Sequence, residues 1–395
     1  MNKSRKRMLA AGMFAAVALV AAACGGSDSD DAASGSETST AAGSETAEGG
    51  EGAGGAGGDE PGAGVEVTMA RADWSTGYFQ AAIYYRLLSE LGYEVSDPSQ
   101  LEMGPSNFYT ALAEGEVDFW VNSWYPGHKT WLENELSDGS TVGEKVSVVG
   151  EEMLAGGLQG YLVTKSFAEK YDLKTLDDLD SNAEALAEFD ATDPKPGDGK
   201  AQIYGCQESF TCDDIIQNQI AFSGWQNIEQ TVAGYDAMVA DAVAKVADDQ
   251  PMVIYTWTPS AYITQLIPGE TVMWIGVEDV VDDSNPAGLP GGAEHDQRPG
   301  TADIGPDECL MQPCQIGWVA ADIQVTARNE FLDANPAAKA LFENVKLSVI
   351  DVSLANVEQA NGKDTNEDIL GLADQWIADN RDTVDGWLEA ARAAA

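Results

Sequence analysis

Trp120, Trp124, Tyr125 and Trp131 crowd around a Pro126-Gly127 turn, and His128, one of only two histidines in the chain, stands beside it. Indole faces are electron-rich, so a group of them suits a cation that cannot donate hydrogen bonds, such as a quaternary ammonium. A carboxylate would attract the same cation, but it would be desolvated with no donor to satisfy it, a cost that aromatic faces avoid. Large aromatics also serve as packing residues. Trp120 and Trp131 therefore read equally as core, whereas Trp124, placed in the turn, reads as open to a ligand. Each desolvated face contributes about 2 kcal/mol, so two or three give roughly 4 to 6. Micromolar binding needs about 8 kcal/mol, and the far end of the ligand must be held as well.

Two further stretches can complete such a site. Thr256-Trp257-Thr258-Pro259 follows a strand-like run at residues 251–255, repeating the placement of Trp124 just after a strand and before a proline. The segment from Cys206 to Cys212, containing Phe210 and Thr211, precedes Asp213-Asp214-Ile215-Ile216, which reads as a helix start. Backbone N–H groups at Thr211 and Cys212, fixed by a short disulfide loop, can cradle a carboxylate at the positive end of the helix dipole. His128 can donate a further hydrogen bond from its imidazole. Asp213 and Asp214 would repel an anion there unless their side chains turn outward, and the plain alternative is a structural disulfide ahead of a capped helix.

The elements that must position these residues follow from periodicity. Residues 118–121 alternate polar and apolar like a short strand, which would put Trp124 and His128 at its C-terminal edge, where open α/β folds hold ligands. Before it come a strand-like run at 65–70, a turn carrying Trp74, a helix at 78–91 with Phe79, Ile83, Leu87 and Leu91 at helical spacing, and a helix near 108–113. That opening reads as βαβ. A strand at 159–163 and a helix at 166–171 start a second lobe, in which a helix at 235–246 feeds the 251–255 strand. A strand at 317–326 and helices at 336–347, 368–380 and 383–394 close the chain. Residues 190–200 superficially resemble a calcium loop, but Pro194 and Pro196 break the ligand spacing and the segment reads as an acidic turn.

With 395 residues, 44% of them hydrophobic, the chain can bury a substantial core in two or three lobes. Its 21 basic and 66 acidic residues give a formal charge of -45, which repels a phosphate backbone and excludes nucleic acid as a partner. Such an excess suits a salt-rich habitat or a solvated surface without a specific role, and we take the second reading. Residues 1–23 form a leader: Lys3, Arg5, Lys6 and Arg7, then an apolar run, then Ala21, Ala22 and Ala23 before Cys24. This resembles a bacterial lipoprotein signal with Cys24 as the lipidated residue, although Ala21 stands where that motif prefers leucine and cleavage as an ordinary secreted protein is the alternative. Residues 24–64, rich in Gly, Ser, Ala and acidic residues, read as a disordered tether spanning on the order of 35 Å. The other cysteines fall into close pairs, Cys206 with Cys212 and Cys309 with Cys314, which in an oxidising compartment read as two local disulfides. Their spacing is not that of a zinc site, so no metal or other cofactor is expected. The acidic, Gly- and Pro-rich segment 279–314 reads as a surface excursion stapled by the second pair.

Trp-x-Pro-Gly-His after a strand, Gly-Cys-x5-Cys before a helix and Tyr-Thr-Trp-Thr-Pro after a later strand together resemble the substrate-binding component of glycine betaine and proline betaine ABC transporters. The resemblance runs from about Trp74 to Trp387. It implies an α/β, two-lobed type II periplasmic-binding-protein fold whose lobes close on a hinge over the ligand, with residues 65–158 and 317–395 in one lobe and 159–316 in the other. It further implies a betaine-type ligand, delivery to a membrane permease with its ATPase, and a location at the cell envelope, lipid-anchored on the outer face of the cytoplasmic membrane or periplasmic. By position, Trp124 and Trp257 would be walls of the cation box, while His128 and the backbone of Thr211 and Cys212 would hold the carboxylate. Phe210 stands where relatives carry a third box tryptophan, and Trp74 is the candidate for the missing wall. Choline, carnitine and dimethylsulfoniopropionate are alternative ligands. Two other classes compete: a secreted enzyme acting on methylated amines, for which the chain has no Gly-x-Ser-x-Gly or His-Glu-x-x-His motif and only His128 and His295 to build from, and a sugar-binding lipoprotein.

Overall fold

The structure, a computed structural model, describes residues 59–208, 210–282, 284–290, 301–302 and 304–395. The leader, Cys24, His295 and the first part of the tether lie outside the described residues. Of the stretch read as a tether, residues 59–64 are held against the folded body. The Gly62 N–H donates to the Leu91 carbonyl at 2.8 Å, and a Cβ on Gly62 would fall within 2.4 Å of the Tyr93 ring. The residues just before Gly64 therefore belong with the folded body, because a residue without a side chain lets the backbone lie flat on that ring.

A three-stranded antiparallel sheet carries the first half of the site, with Ala321–Arg328 in the centre between Phe119–Tyr125 and Val146–Gly157. The alternation expected at residues 118–121 is absent, since all of Phe119–Tyr125 is buried. Both faces of this strand are covered: Phe119 packs on Phe331 and Phe342, while Trp120 stacks on Phe108 at 4.0 Å. The strand-like run at 65–70 shortens to Glu66–Val67, which pairs parallel with Glu94–Val95, a strand the sequence reading did not place, across the helix Tyr78–Glu90; toward the expected 118–121 strand the run makes the parallel bridge Met69–Phe119.

A five-stranded mixed sheet carries the second half, in the order Val272–Ile275, Gln159–Thr164, Val253–Trp257, Ala201–Tyr204, Ile228–Thr231. Helices Thr211–Ser223 and Tyr235–Ala247 belong to the same stretch of chain. The molecule is thus two-lobed and α/β, the chain crossing from one sheet to the other between Gly157 and Gln159 and returning before Ala321. Both local disulfides, Cys206–Cys212 and Cys309–Cys314, are formed. The 279–314 excursion does more than cover surface, because the Pro290 carbonyl accepts from the Thr130 hydroxyl at 2.8 Å. In the acidic turn, Asp190 accepts from the Gly197 and Asp198 N–H groups, and Asp193 from those of Lys195 and Gln202.

Two long elements escaped the sequence reading. The closing helices run Pro336–Asn344, Asn366–Asp379 and Arg381–Ala393, close to expectation, but Val349–Ala360 is an additional helix. Its inner face carries Asn356 and Gln359 while Ile350 and Leu354 are exposed, so no apolar stripe marks it. The strand Val146–Gly157 is interrupted by positive φ at Gly150 and Ala155, which breaks its alternation. Among the described residues, no helix is long and apolar enough to cross a membrane.

Candidate ligand-binding site

Between the two lobes lies a cavity of about 480 Å³, its mouth included. Trp74, Trp124 and His128 line it from the lobe of the three-stranded sheet; Phe210, Thr211, Cys212 and Trp257 line it from the other. The site residues read from the sequence are therefore brought together in one place. Among the described residues, none that lines it is an Asp, Glu, Lys or Arg. A ligand with net charge would meet no counter-charge there, whereas one that carries a diffuse cation and a separate anion can be matched by aromatic faces and N–H donors.

Trp124 and Trp257 sit inside their strands rather than after them, a correction to the sequence reading. Trp124 pairs opposite Ile323 and Trp257 opposite Gln159. The ladders continue to these residues because their partner strands do, and Pro126 and Pro259, which lack an N–H, follow where pairing stops. Trp257 packs on Tyr235 with ring centroids 4.4 Å apart, and on Tyr255 and Tyr262. Trp74 stands edge-on to Phe210 at 5.3 Å and to Trp120 at 5.7 Å. Trp120, fully buried on Phe108, is core. Trp131 is buried as well, and its Nε1 donates to the Thr211 hydroxyl at 3.0 Å.

His128 is fixed by its own turn. Its N–H donates to the Trp124 carbonyl at 2.8 Å, and its Nδ1 accepts from the Trp124 N–H at 3.1 Å. The Tyr109 hydroxyl lies 3.1 Å from the same nitrogen. Burial lowers the imidazole to about 3, so the ring is neutral. With Nδ1 accepting, the single proton of a neutral ring belongs on Nε2, which makes that atom a donor.

Thr211 opens the helix Thr211–Ser223, so the N–H groups of Thr211 and Cys212 have no carbonyl one turn back to bond within the helix. The repulsion expected from Asp213 is relieved by its orientation. Its Oδ1 accepts from Gln230 at 2.6 Å and from Gln217 at 3.0 Å, and burial raises its pKa. The lobes are joined beside the cavity by indole donors, Trp131 to Thr211 in one direction and Trp257 Nε1 to the Thr76 hydroxyl at 3.2 Å in the other.

Pro105, Gly127, Gln159, Ile215 and Tyr255 also line the cavity and were not assigned a part in the site from the sequence. Two of them carried a readable signal. Tyr255 lies two residues before Trp257 on the same face of a strand, and Ile215 lies one helical turn after Thr211. Gln159 is tied to Tyr255, whose hydroxyl donates to its Oε1 at 2.6 Å, leaving its Nε2 as a further donor.

Residues 65–379 match the model of the substrate-binding domain of ABC-type glycine betaine transport systems. The chain belongs to this family. It is 30% identical over 338 residues to the glycine betaine-binding periplasmic protein OusX of Dickeya dadantii, covering 85% of this chain and 93% of that protein. The glycine betaine/proline betaine-binding periplasmic protein of Escherichia coli is 30% identical over 337 residues, with the same coverage of 85% and 93%. Among solved structures, an ABC-transporter choline-binding protein in complex with choline has a TM-score of 0.58 at 16% identity, covering 83% of this chain and 96% of that one. Lactococcal OpuAC in its closed, glycine betaine-bound conformation has a TM-score of 0.55 at 17% identity, covering 82% and 99%. At such identities the structures speak to the fold, which is the two-lobed α/β architecture described above. In the cavity walls of this chain, Phe210 stands beside Trp74.

Proposed function

We propose that this chain is the extracytoplasmic receptor that captures glycine betaine, or a close quaternary-ammonium relative, and hands it to an ABC importer permease with its ATPase. The observation that carries the reading is the uncharged interlobe cavity, which joins indole rings from both lobes to a neutral histidine donor and a helix N-terminus. Trp124, Trp257 and Trp74 with Phe210 enclose the methylated head, each desolvated face contributing about 2 kcal/mol. His128 Nε2–H and the N–H groups of Thr211 and Cys212 hold the carboxylate, supplying the remainder that micromolar affinity requires. Trp74 takes the part of the indole that Phe210 lacks.

Binding rather than catalysis is supported by the chemistry of the walls. Cys212 is in a disulfide, the Thr211 hydroxyl is engaged by Trp131, and the His128 nitrogen that would act as a base is already accepting hydrogen bonds. Isothermal titration of the mature chain with glycine betaine, proline betaine, choline, carnitine and dimethylsulfoniopropionate tests the proposal. We expect heat from the carboxylate-bearing onium compounds in preference to choline, and a weaker response after Trp74→Ala; silence toward all five ligands refutes it. Cys24, outside the described residues, is proposed as the lipid attachment site. The membrane-extracted protein should then have the mass of a diacylglyceryl-modified chain beginning at Cys24, and Cys24→Ser should release it unmodified.

A further inference from the structure

A buried polar chain leads away from the cavity. Trp124 Nε1 donates to Asn122 Oδ1 at 2.9 Å, Asn122 Nδ2 to Gln80 Oε1 at 2.6 Å, and Gln80 Nε2 to Glu152 Oε1 at 2.7 Å. Gln80, Asn122 and Glu152 are each 1% exposed, so water cannot stand in for a missing partner. They come from three elements: the helix Tyr78–Glu90, the strand Phe119–Tyr125 and the strand Val146–Gly157.

The direction of this chain is set by its first member. An indole has an N–H and no acceptor, so Asn122 must turn its oxygen toward Trp124. Its nitrogen then faces Gln80, which must present oxygen, and the Gln80 nitrogen in turn requires an acceptor at position 152. Reversing Asn122 would set its NH2 against the indole N–H and its oxygen against that of Gln80, and reversing Gln80 would set its NH2 against that of Asn122. A second contact holds the same ring. A Cβ on Gly157 would fall 2.7 Å from the six-membered part of Trp124, so the strand that carries Glu152 also supplies the slot in which the indole lies.

We propose that Glu152 is a positioning residue for the ligand cavity: through Gln80 and Asn122 it fixes the rotation of the Trp124 indole without touching the ligand. The proposal rests on the reading of Trp124 as a wall of the cation box. Burial raises the Glu152 carboxyl to about 8, so near neutral pH an uncharged acceptor ends the chain, and glutamine is its conservative replacement.

The test reads the Trp124 indole N–H resonance in protein labelled with ¹⁵N-tryptophan, assigned by its loss in Trp124→Phe, first without ligand and then alongside glycine betaine titration. Glu152→Gln should leave the resonance in place and the affinity within about twofold. Glu152→Met, similar in length but without an acceptor, should move the resonance upfield and weaken binding about tenfold, the scale of one buried donor left unpaired. Gln80→Met breaks the chain at its middle and should move the same resonance. An unmoved resonance in whichever methionine variants fold overturns the proposal, as does an equal loss of affinity in Glu152→Gln and Glu152→Met. Because the resonance is read without ligand, failure of the relay is distinguishable from failure of the betaine reading, which would appear as absent heat with the relay intact.

Discussion

Trp257→Ala is expected to weaken glycine betaine binding more than a hundredfold. Two terms lead there. The lost aromatic face is worth about 2 kcal/mol, and the lost hydrogen bond from Nε1 to Thr76, which helps hold the lobes together, is worth about 1 kcal/mol. The variant should also be less stable, because Trp257 is buried against Tyr235, Tyr255 and Tyr262, and truncating a packed tryptophan costs about 3 to 5 kcal/mol. Trp257→Phe separates the two effects. It keeps an aromatic face and most of the packing, so it should recover most of the melting temperature and bind within about tenfold of the native protein. Titration calorimetry with thermal melts measures both. Native affinity in Trp257→Ala would remove this residue from the cation box.

His128→Ala is expected to act selectively. In the proposed site the Nε2–H donates to the ligand's carboxylate, a charge-assisted bond worth about 1.5 to 3 kcal/mol, so glycine betaine should bind about 10- to 150-fold more weakly. Choline has no carboxylate and should lose little. An equal loss for both ligands would assign His128 to holding up Trp124, whose N–H it accepts, instead of to contacting the ligand. The pH dependence carries the same logic. Burial lowers the imidazole to about 3, so the ring stays neutral from pH 8 down to pH 5 and affinity should be level across that window. An anion bound at Nε2 would raise the ring's pKa, so any gain in affinity should appear only toward the acid end. A titration break near 6.5 would instead mean that a protonated imidazole holds the ligand.

The local parts of this site were legible because neighbours in sequence produce them. A strand ending before proline announces Trp124 and Trp257, cysteines six residues apart announce the loop that contains Thr211, and Asp213 and Asp214 announce a helix N-terminus. The closing helices were found by their apolar spacing. Val349–Ala360 was not, since its buried face includes the polar residues Asn356 and Gln359; the Asn356 amide reaches the Thr76 carbonyl on another element.

Chain order alone thus determined the residue types of the box, the disulfide loop and the alternation of strands and helices, since each depends on backbone preference and hydrophobic period over a few residues. Only the tertiary structure decided that Trp120 is core while Trp124 lines the cavity, that Asp213 turns toward Gln230, that His128 presents Nε2, and that Trp124 is tied to a carboxyl through Gln80 and Asn122. Those outcomes depend on packing and on hydrogen-bond partners, several of them far apart in the chain, whose geometry exists only once packing has excluded water from between them.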